Sequence, residues 1–60
     1  MSDYSREDIE SIISENAPLD FVAADLRTLD LSELQLNGAD FSEALLDGAY
    51  FDRTNLTGAI

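Results

Sequence analysis

The chain has 60 residues, enough for one small domain, and a domain of this size hides only about 60% of the surface that its unfolded form exposes. It contains neither cysteine nor histidine, which excludes disulfide bonds and removes the commonest general base and transition-metal ligands. Thirteen acidic residues against three arginines give a net charge of -10. This charge argues against direct binding to nucleic acid or to anionic membranes, and it leaves a basic protein surface as a candidate partner.

The start of the chain predicts a cytoplasmic protein. Acidic Asp3 stands where a secretory signal carries positive charge, and no apolar run approaches the roughly 20 residues of a membrane span. The absence of cysteine is compatible with the cytosol.

Residues 5 to 15 carry the signature of a short amphipathic helix. Ser5 and Asp8 are spaced for reciprocal capping of the first turn, and Tyr4 and Ile9 occupy the two positions of a hydrophobic staple. An apolar stripe at helical spacing is formed by Ile9, Ile12 and Ile13. Asn16-Ala17-Pro18 ends the pattern, because the residue before proline is steered out of the helical region.

A helix this short is marginal alone, so we expect it to dock on the open end of the segment that Leu19 and Phe21 begin. We therefore predict that residues 1–18 form an acidic amphipathic helical cap on a repeat domain of residues 19–60, as terminal units of repeat proteins seal the core. The alternative is a free amphipathic helix that awaits a partner.

From Phe21 onward large apolar residues recur at every fifth position. They are Leu26, Leu31, Leu36, Phe41, Leu46, Phe51 and Leu56. A second set, small or apolar, stands two positions earlier in each unit: Ala24, Leu29, Leu34, Ala39, Ala44, Ala49, Thr54 and Ala59. A helix would rotate successive members by about 500° and scatter them around its axis, and strict strand alternation also fails.

Two inward and three outward residues per unit predict a chain that turns a corner every five residues. Gly38, Gly48 and Gly58 fall at the last position of alternate units, where a turn favours a residue that is free to take a positive φ. Coils of this kind stack edge to edge as an all-β solenoid.

The units resemble those of the pentapeptide-repeat family, written Ala-(Asp/Asn)-Leu-x-x. Ala24-Asp25-Leu26, Ala39-Asp40-Phe41 and Thr54-Asn55-Leu56 show the pattern, and the units between them keep its centre. The resemblance implies a right-handed quadrilateral β-helix with about twenty residues in each coil, so residues 19–60 would form about two coils. The short helix predicted above would be its N-terminal cap.

A twenty-residue offset makes specific pairs. It stacks Phe21 under Phe41, Leu26 under Leu46, Leu31 under Phe51 and Leu36 under Leu56. It sets Arg27 beneath Asp47 and Glu33 beneath Arg53, so we expect an ion pair across each of these rungs. It also places Asp20 below Asp40, a pair of like charges.

The last coil ends within a unit at Ala59-Ile60, which leaves a strand edge that invites pairing with another chain. We expect a homodimer through the C-terminal coil, because a two-fold contact closes on itself. Leu45, Tyr50 and Ile60 are apolar at nominally outward positions and are candidates for this self-association. A further interpretation is that the chain is the front of a longer repeat protein or a naturally shortened one, in which case the exposed last coil results from truncation, and the sequence leaves this open.

We predict no catalytic, cofactor-binding or metal-binding residues, because no nucleophile and base pair and no calcium-loop spacing is present. The favoured function is a non-catalytic structural or protein-interaction module. The alternative, implied by the family resemblance, is a mimic of duplex DNA that binds a topoisomerase such as DNA gyrase. Two coils span on the order of 10 Å, which matches only about three base pairs and counts against mimicry.

Overall fold

A computed structural model describes residues 3–60, so Met1 and Ser2 of the predicted cap lie outside the described residues. Its helix, α1, spans Arg6–Ser14. The Ser5 hydroxyl accepts a hydrogen bond from the Asp8 N–H at 3.1 Å, and the Asp8 carboxylate accepts one from the Ser5 N–H at 2.9 Å. This reciprocal pair is the predicted capping box, and it starts the helix by satisfying two amide groups of the first turn.

The end of α1 is a left-handed turn at Asn16, whose φ is 58°. The Asn16 N–H donates to the Ile13 carbonyl at 3.0 Å, and the Ala17 N–H donates to the Ile12 carbonyl at 3.1 Å. These two bonds form a Schellman motif, which satisfies the last carbonyls of the helix and reverses the chain toward the repeats.

From Asp20 onward the chain is a β-helix solenoid. Parallel β-bridges join residues that are twenty apart: Asp25 to Leu45, Asp30 to Tyr50, Gln35 to Asn55 and Asp20 to Asp40. We number the sides that they define 1 to 4 in that order. The β pairing within residues 3–60 is confined to these isolated bridges, so the strands are shorter than an all-β solenoid suggests. The reason is geometric, because a chain that turns every five residues leaves no room for a continuous strand.

The corners of the solenoid are tight turns with a positive φ at the last residue of each unit. At Gly48, φ is 73°, and the N–H of Ala49 donates to the Leu46 carbonyl at 3.0 Å. A positive φ at the third residue of a four-residue turn, without one at the second, is typical of a type II turn, and the positive φ is the one predicted for the glycine corners. The same conformation occurs at non-glycine corners: Ala23, Thr28, Glu33, Glu43 and Arg53. At these corners packing and hydrogen bonding between coils override a local cost of roughly 1–2 kcal/mol.

The core lies inside the first coil and extends to the helix. Its largest fully buried side chains, at 0–1% exposure, are Ile9, Phe21, Leu26, Leu31 and Leu36. The Phe21 ring stacks on Phe41 with a centroid separation of 5.5 Å, and Tyr4 contacts its other side edge-on. The second coil is less protected, since Phe41, Leu46 and Phe51 are only half-buried and Leu56 is 38% exposed. One end of the solenoid is therefore covered and the other is open.

Candidate interaction surfaces

The recurring Asp and Asn residues hold the corners of the solenoid. In each case the side-chain oxygen accepts a hydrogen bond from the backbone N–H two residues later, across the start of the corner. The pairs are Asp20 with Val22, Asp25 with Arg27, Asp30 with Ser32, Asp40 with Ser42 and Asn55 with Thr57, at 3.0–3.2 Å. These residues therefore have a structural role, and an Asp or Asn two residues before a turn is the sequence signal for it.

Hydrogen bonds also set the electrostatics of these carboxylates. The Arg27 guanidinium donates to both carboxylate oxygens of Asp25 at 2.9 and 2.8 Å, and this contact holds the pKa of Asp25 at about 2, below its ordinary value of 3.8. The hydroxyl and the backbone N–H of Ser42 lower the pKa of Asp40. Both groups are therefore ionised at neutral pH, including Asp40 where it stacks above Asp20.

Neither of the predicted ion pairs across the rungs is among the ion pairs that residues 3–60 form. Arg27 binds Asp25, two residues away on its own side, rather than Asp47 in the coil above. The Asp25 side chain is already held by its hydrogen bond at the corner. Forming the ion pair therefore costs the conformational entropy of only one further side chain, that of Arg27. The twenty-residue offset on which this prediction is based is nevertheless correct. It places Thr28 beside Asp47 in the next coil, and the Thr28 N–H donates to the Asp47 carbonyl at 2.9 Å.

The N-terminal segment closes part of the lower edge of the first coil with polar contacts. The Asp3 N–H donates to the Asp25 carbonyl at 2.7 Å, and the Asp25 N–H donates to the Asp3 carboxylate at 2.9 Å. On the next side, Arg6 donates from Nη1 to the Asp30 carbonyl at 2.7 Å while it pairs with Glu10 at 2.9 Å. The apolar stripe predicted that the helix would dock, but no pattern in the sequence indicated these polar contacts.

The upper edge of the second coil lacks such a closure. In the first coil the N–H groups of Leu26, Leu31 and Leu36 donate at 2.9 Å to the coil above. Nothing in the described part of the chain accepts from the equivalent N–H groups of the second coil, which belong to Glu43, Leu46, Gly48, Phe51, Arg53, Leu56 and Gly58. We call these residues the open coil edge. Side 4 alone is covered, where the Phe41 N–H donates to the Ile60 carbonyl at 2.9 Å.

The residues predicted for self-association are exposed but do not form one patch. Leu45, Tyr50 and Ile60 are 48%, 59% and 75% exposed, and they lie on sides 1, 2 and 4. Leu45 and Tyr50 flank the corner at Gly48, while Ile60 stands apart above Asp40. Leu45 and Tyr50 directly precede Leu46 and Phe51 of the open coil edge, and Ile60 follows Gly58 by two residues.

The carboxylates of residues 3–60 form no cluster of three metal-ligating groups. No helix in the same range is long and apolar enough to cross a bilayer.

A solenoid of five-residue units, with one inward side chain at the centre of each, defines a repeat protein. The chain belongs to the pentapeptide-repeat family, since residues 24–60, more than half of its length, match the family model for pentapeptide repeats in eight copies. This confirms the family resemblance of the sequence. The family is generally non-catalytic, and its fold suggests a structural or protein-interaction module. Comparisons with curated proteins and with solved structures found no match.

Proposed function

We propose that the chain is a non-catalytic protein-interaction module, built as a short right-handed, four-sided β-helix, that associates with a second copy through its C-terminal coil. The single observation that carries the proposal is the open coil edge, where a row of free N–H groups borders half-buried core side chains. Bridges at a constant twenty-residue offset support the four-sided coil. The cytoplasmic location stays a prediction from composition.

The open coil edge has the two properties that drive strand pairing between chains. Its free N–H groups, as at Leu46 and Phe51, require acceptors, and the carbonyls of the same edge provide them in a second copy. Burial of Leu56 and its neighbours supplies the apolar contact. A two-fold contact uses the same edge on both copies and therefore closes at a dimer.

The high net charge of -10 opposes this contact, because two copies carry like charge. Salt screens repulsion between exposed charges over about 10 Å at 0.1 M ionic strength. We therefore expect the dimer to become tighter as salt is added, which is the opposite of the salt dependence of an interface between opposite charges.

Sedimentation velocity of the 60-residue chain over the micromolar range tests the proposal. Leu56→Glu places a charge on the open coil edge at a position exposed enough to tolerate it, and we expect it to abolish the dimer. Val22→Glu makes the same kind of change on an apolar residue of the first coil, 46% exposed against 38% for Leu56, and should leave the dimer intact. A monomer at all concentrations, or equal loss in both variants, would overturn the proposal.

The layout of charge favours this role over DNA mimicry. Among the bridge positions, one acidic residue lies above another only on side 4, where Asp40 lies above Asp20. On sides 1 and 2 the residues above Asp25 and Asp30 are the uncharged Leu45 and Tyr50. Even the longest dimension of the chain, 25 Å, equals only about seven base-pair steps at 3.4 Å per step, which is short for a mimic of duplex DNA. A supercoiling assay with purified DNA gyrase separates the two roles, since a mimic inhibits or protects the enzyme and an interaction module leaves it unchanged.

A further inference from the structure

Side 3 of the solenoid and the corner that follows it carry no charged residue. The bridge residues are Gln35 and Asn55, and the Asn55 amide donates to the Gln35 side-chain oxygen at 2.9 Å. The corner is formed by Asn37-Gly38 below and Thr57-Gly58 above. In a chain of charge -10, this is the side that a neutral partner approaches without meeting an acid.

A groove lies at the lower end of side 3, beneath the first coil and beside the end of α1. Its volume is about 240 Å³, larger than the roughly 150 Å³ cavity that holds a benzene molecule in another protein. The lining residues are Ile13, Asn16, Ala17, Leu19, Gln35 and Asn37. The lining thus combines aliphatic and amide groups around a space that is large enough for a leucine-sized side chain.

The backbone above the groove is a free strand edge. The N–H and the carbonyl of Gln35 make no hydrogen bond with any described part of the chain, whereas the N–H and the carbonyl of Asp25, at the equivalent position on side 1, are both bonded to Asp3. Asp3 therefore shows that this edge of the first coil accepts hydrogen-bonding groups from outside the coils, in this case one backbone N–H and one side-chain carboxylate. On side 3 the same pair of backbone groups is available.

We propose that this groove binds an extended, uncharged segment of a partner protein by strand addition. The backbone of the segment pairs with the N–H and the carbonyl of Gln35, the two groups that Asp3 occupies at Asp25, and the segment inserts one aliphatic side chain between Ile13 and Leu19. A charged segment is disfavoured, because the lining contains no charged side chain that could form an ion pair with it. The inference deepens the proposed interaction role and rests on it, but it is independent of the dimer.

The test is a titration of the ¹⁵N-labelled 60-residue chain with the capped peptide Ser-Thr-Leu-Thr-Ser at millimolar concentration, followed by amide chemical shifts and hydrogen exchange. We expect the Gln35 amide to shift downfield and to exchange more slowly, with no change at Asp25. A peptide with Ala in place of Leu should bind about tenfold more weakly, and one with Asp there should not bind. The Ala17→Leu variant fills the groove and should lose binding, whereas Ser11→Leu, on the exposed face of α1, should not.

Three results would overturn the inference. The first is no response at Gln35 at millimolar peptide. The second is a response confined to Leu46 and Phe51, which would place the peptide on the open coil edge. The third is a shift of Gln35 with protein concentration alone, which would identify a second copy as the occupant. The peptide series uses the unaltered chain, so the result stands even if Ala17→Leu fails to fold. Sedimentation of the unliganded chain reports the dimer separately.

Discussion

The aromatic ring of Phe21 lies 5.5 Å from that of Phe41, twenty residues later, and the two planes differ by 16°. Tyr4 packs edge-on against Phe21 at the same centroid distance, so Phe21 is enclosed by aromatic neighbours. Phe41 has Phe51 as an edge-on neighbour at 6.2 Å, but it is only half-buried and belongs to the coil whose upper edge is open except at Ile60. Equivalent positions in the two coils therefore have unequal energetic weight.

Alanine substitutions at equivalent positions in the two coils measure how much each coil contributes to the free energy of unfolding. Leu36 is fully buried, and Leu36→Ala should lower the free energy of unfolding by about 2–5 kcal/mol, a loss large enough to unfold a domain of this size. Leu56→Ala, at the partly exposed position above it, should cost under about 1 kcal/mol in the monomer. Urea denaturation followed by circular dichroism at low concentration gives both values. Equal losses would contradict the packing described.

The corners predict stability changes of opposite sign. Gly38 has a φ of 79°, and an added methyl group there meets no atom within 4 Å, so Gly38→Ala isolates the backbone penalty and should destabilise the chain by about 1 kcal/mol. Glu43 has a φ of 60°, and Glu43→Gly should stabilise the chain by up to about 1 kcal/mol. Thermal unfolding of both variants, compared with that of the unaltered chain, measures the two changes in stability. A destabilised Glu43→Gly would show that its side chain, rather than its backbone, matters.

The contact between Asp25 and Arg27 predicts a pH dependence. Because the pKa of Asp25 is lowered to about 2 in the folded chain, this group stabilises the fold above its ordinary pKa of 3.8, and the contribution is lost as the pH falls from 3.8 to about 2. Arg27→Gln should return the pKa of Asp25 toward 3.8, as measured by NMR titration of the carboxyl carbon. Arg53→Gln makes the same change of charge without touching Asp25 and should leave that pKa where it is.

The capping box predicts how strongly the helix is anchored. Ser5→Ala removes the acceptor for the Asp8 N–H and should lower the free energy of unfolding by about 0.5–2 kcal/mol. Ser11→Ala changes an exposed serine within α1 and should be neutral or slightly stabilising, because alanine is the better helix former. Urea midpoints of the two variants provide the comparison. If both behave alike, the cap contributes nothing measurable.

Much of the architecture follows from residue types at regular steps. The spacing of Ser5 and Asp8 predicts the start of α1, and leucine or phenylalanine at every fifth position predicts which side chains face inward. Glycines at every tenth position indicate the corners. These are local patterns, in which a residue's role depends on neighbours a few positions away. A pattern with a fixed period is sufficient to identify them.

The sequence by itself determined the five-residue unit, the twenty-residue register and the family. Only the tertiary structure decided that Arg27 binds Asp25 rather than Asp47, that Asp3 closes side 1, and that Gln35 is left free on side 3. The physical reason is that the repeat is nearly the same in both coils and on all sides. Which edge is covered depends on distances between segments far apart in the chain, and a periodic pattern does not encode them.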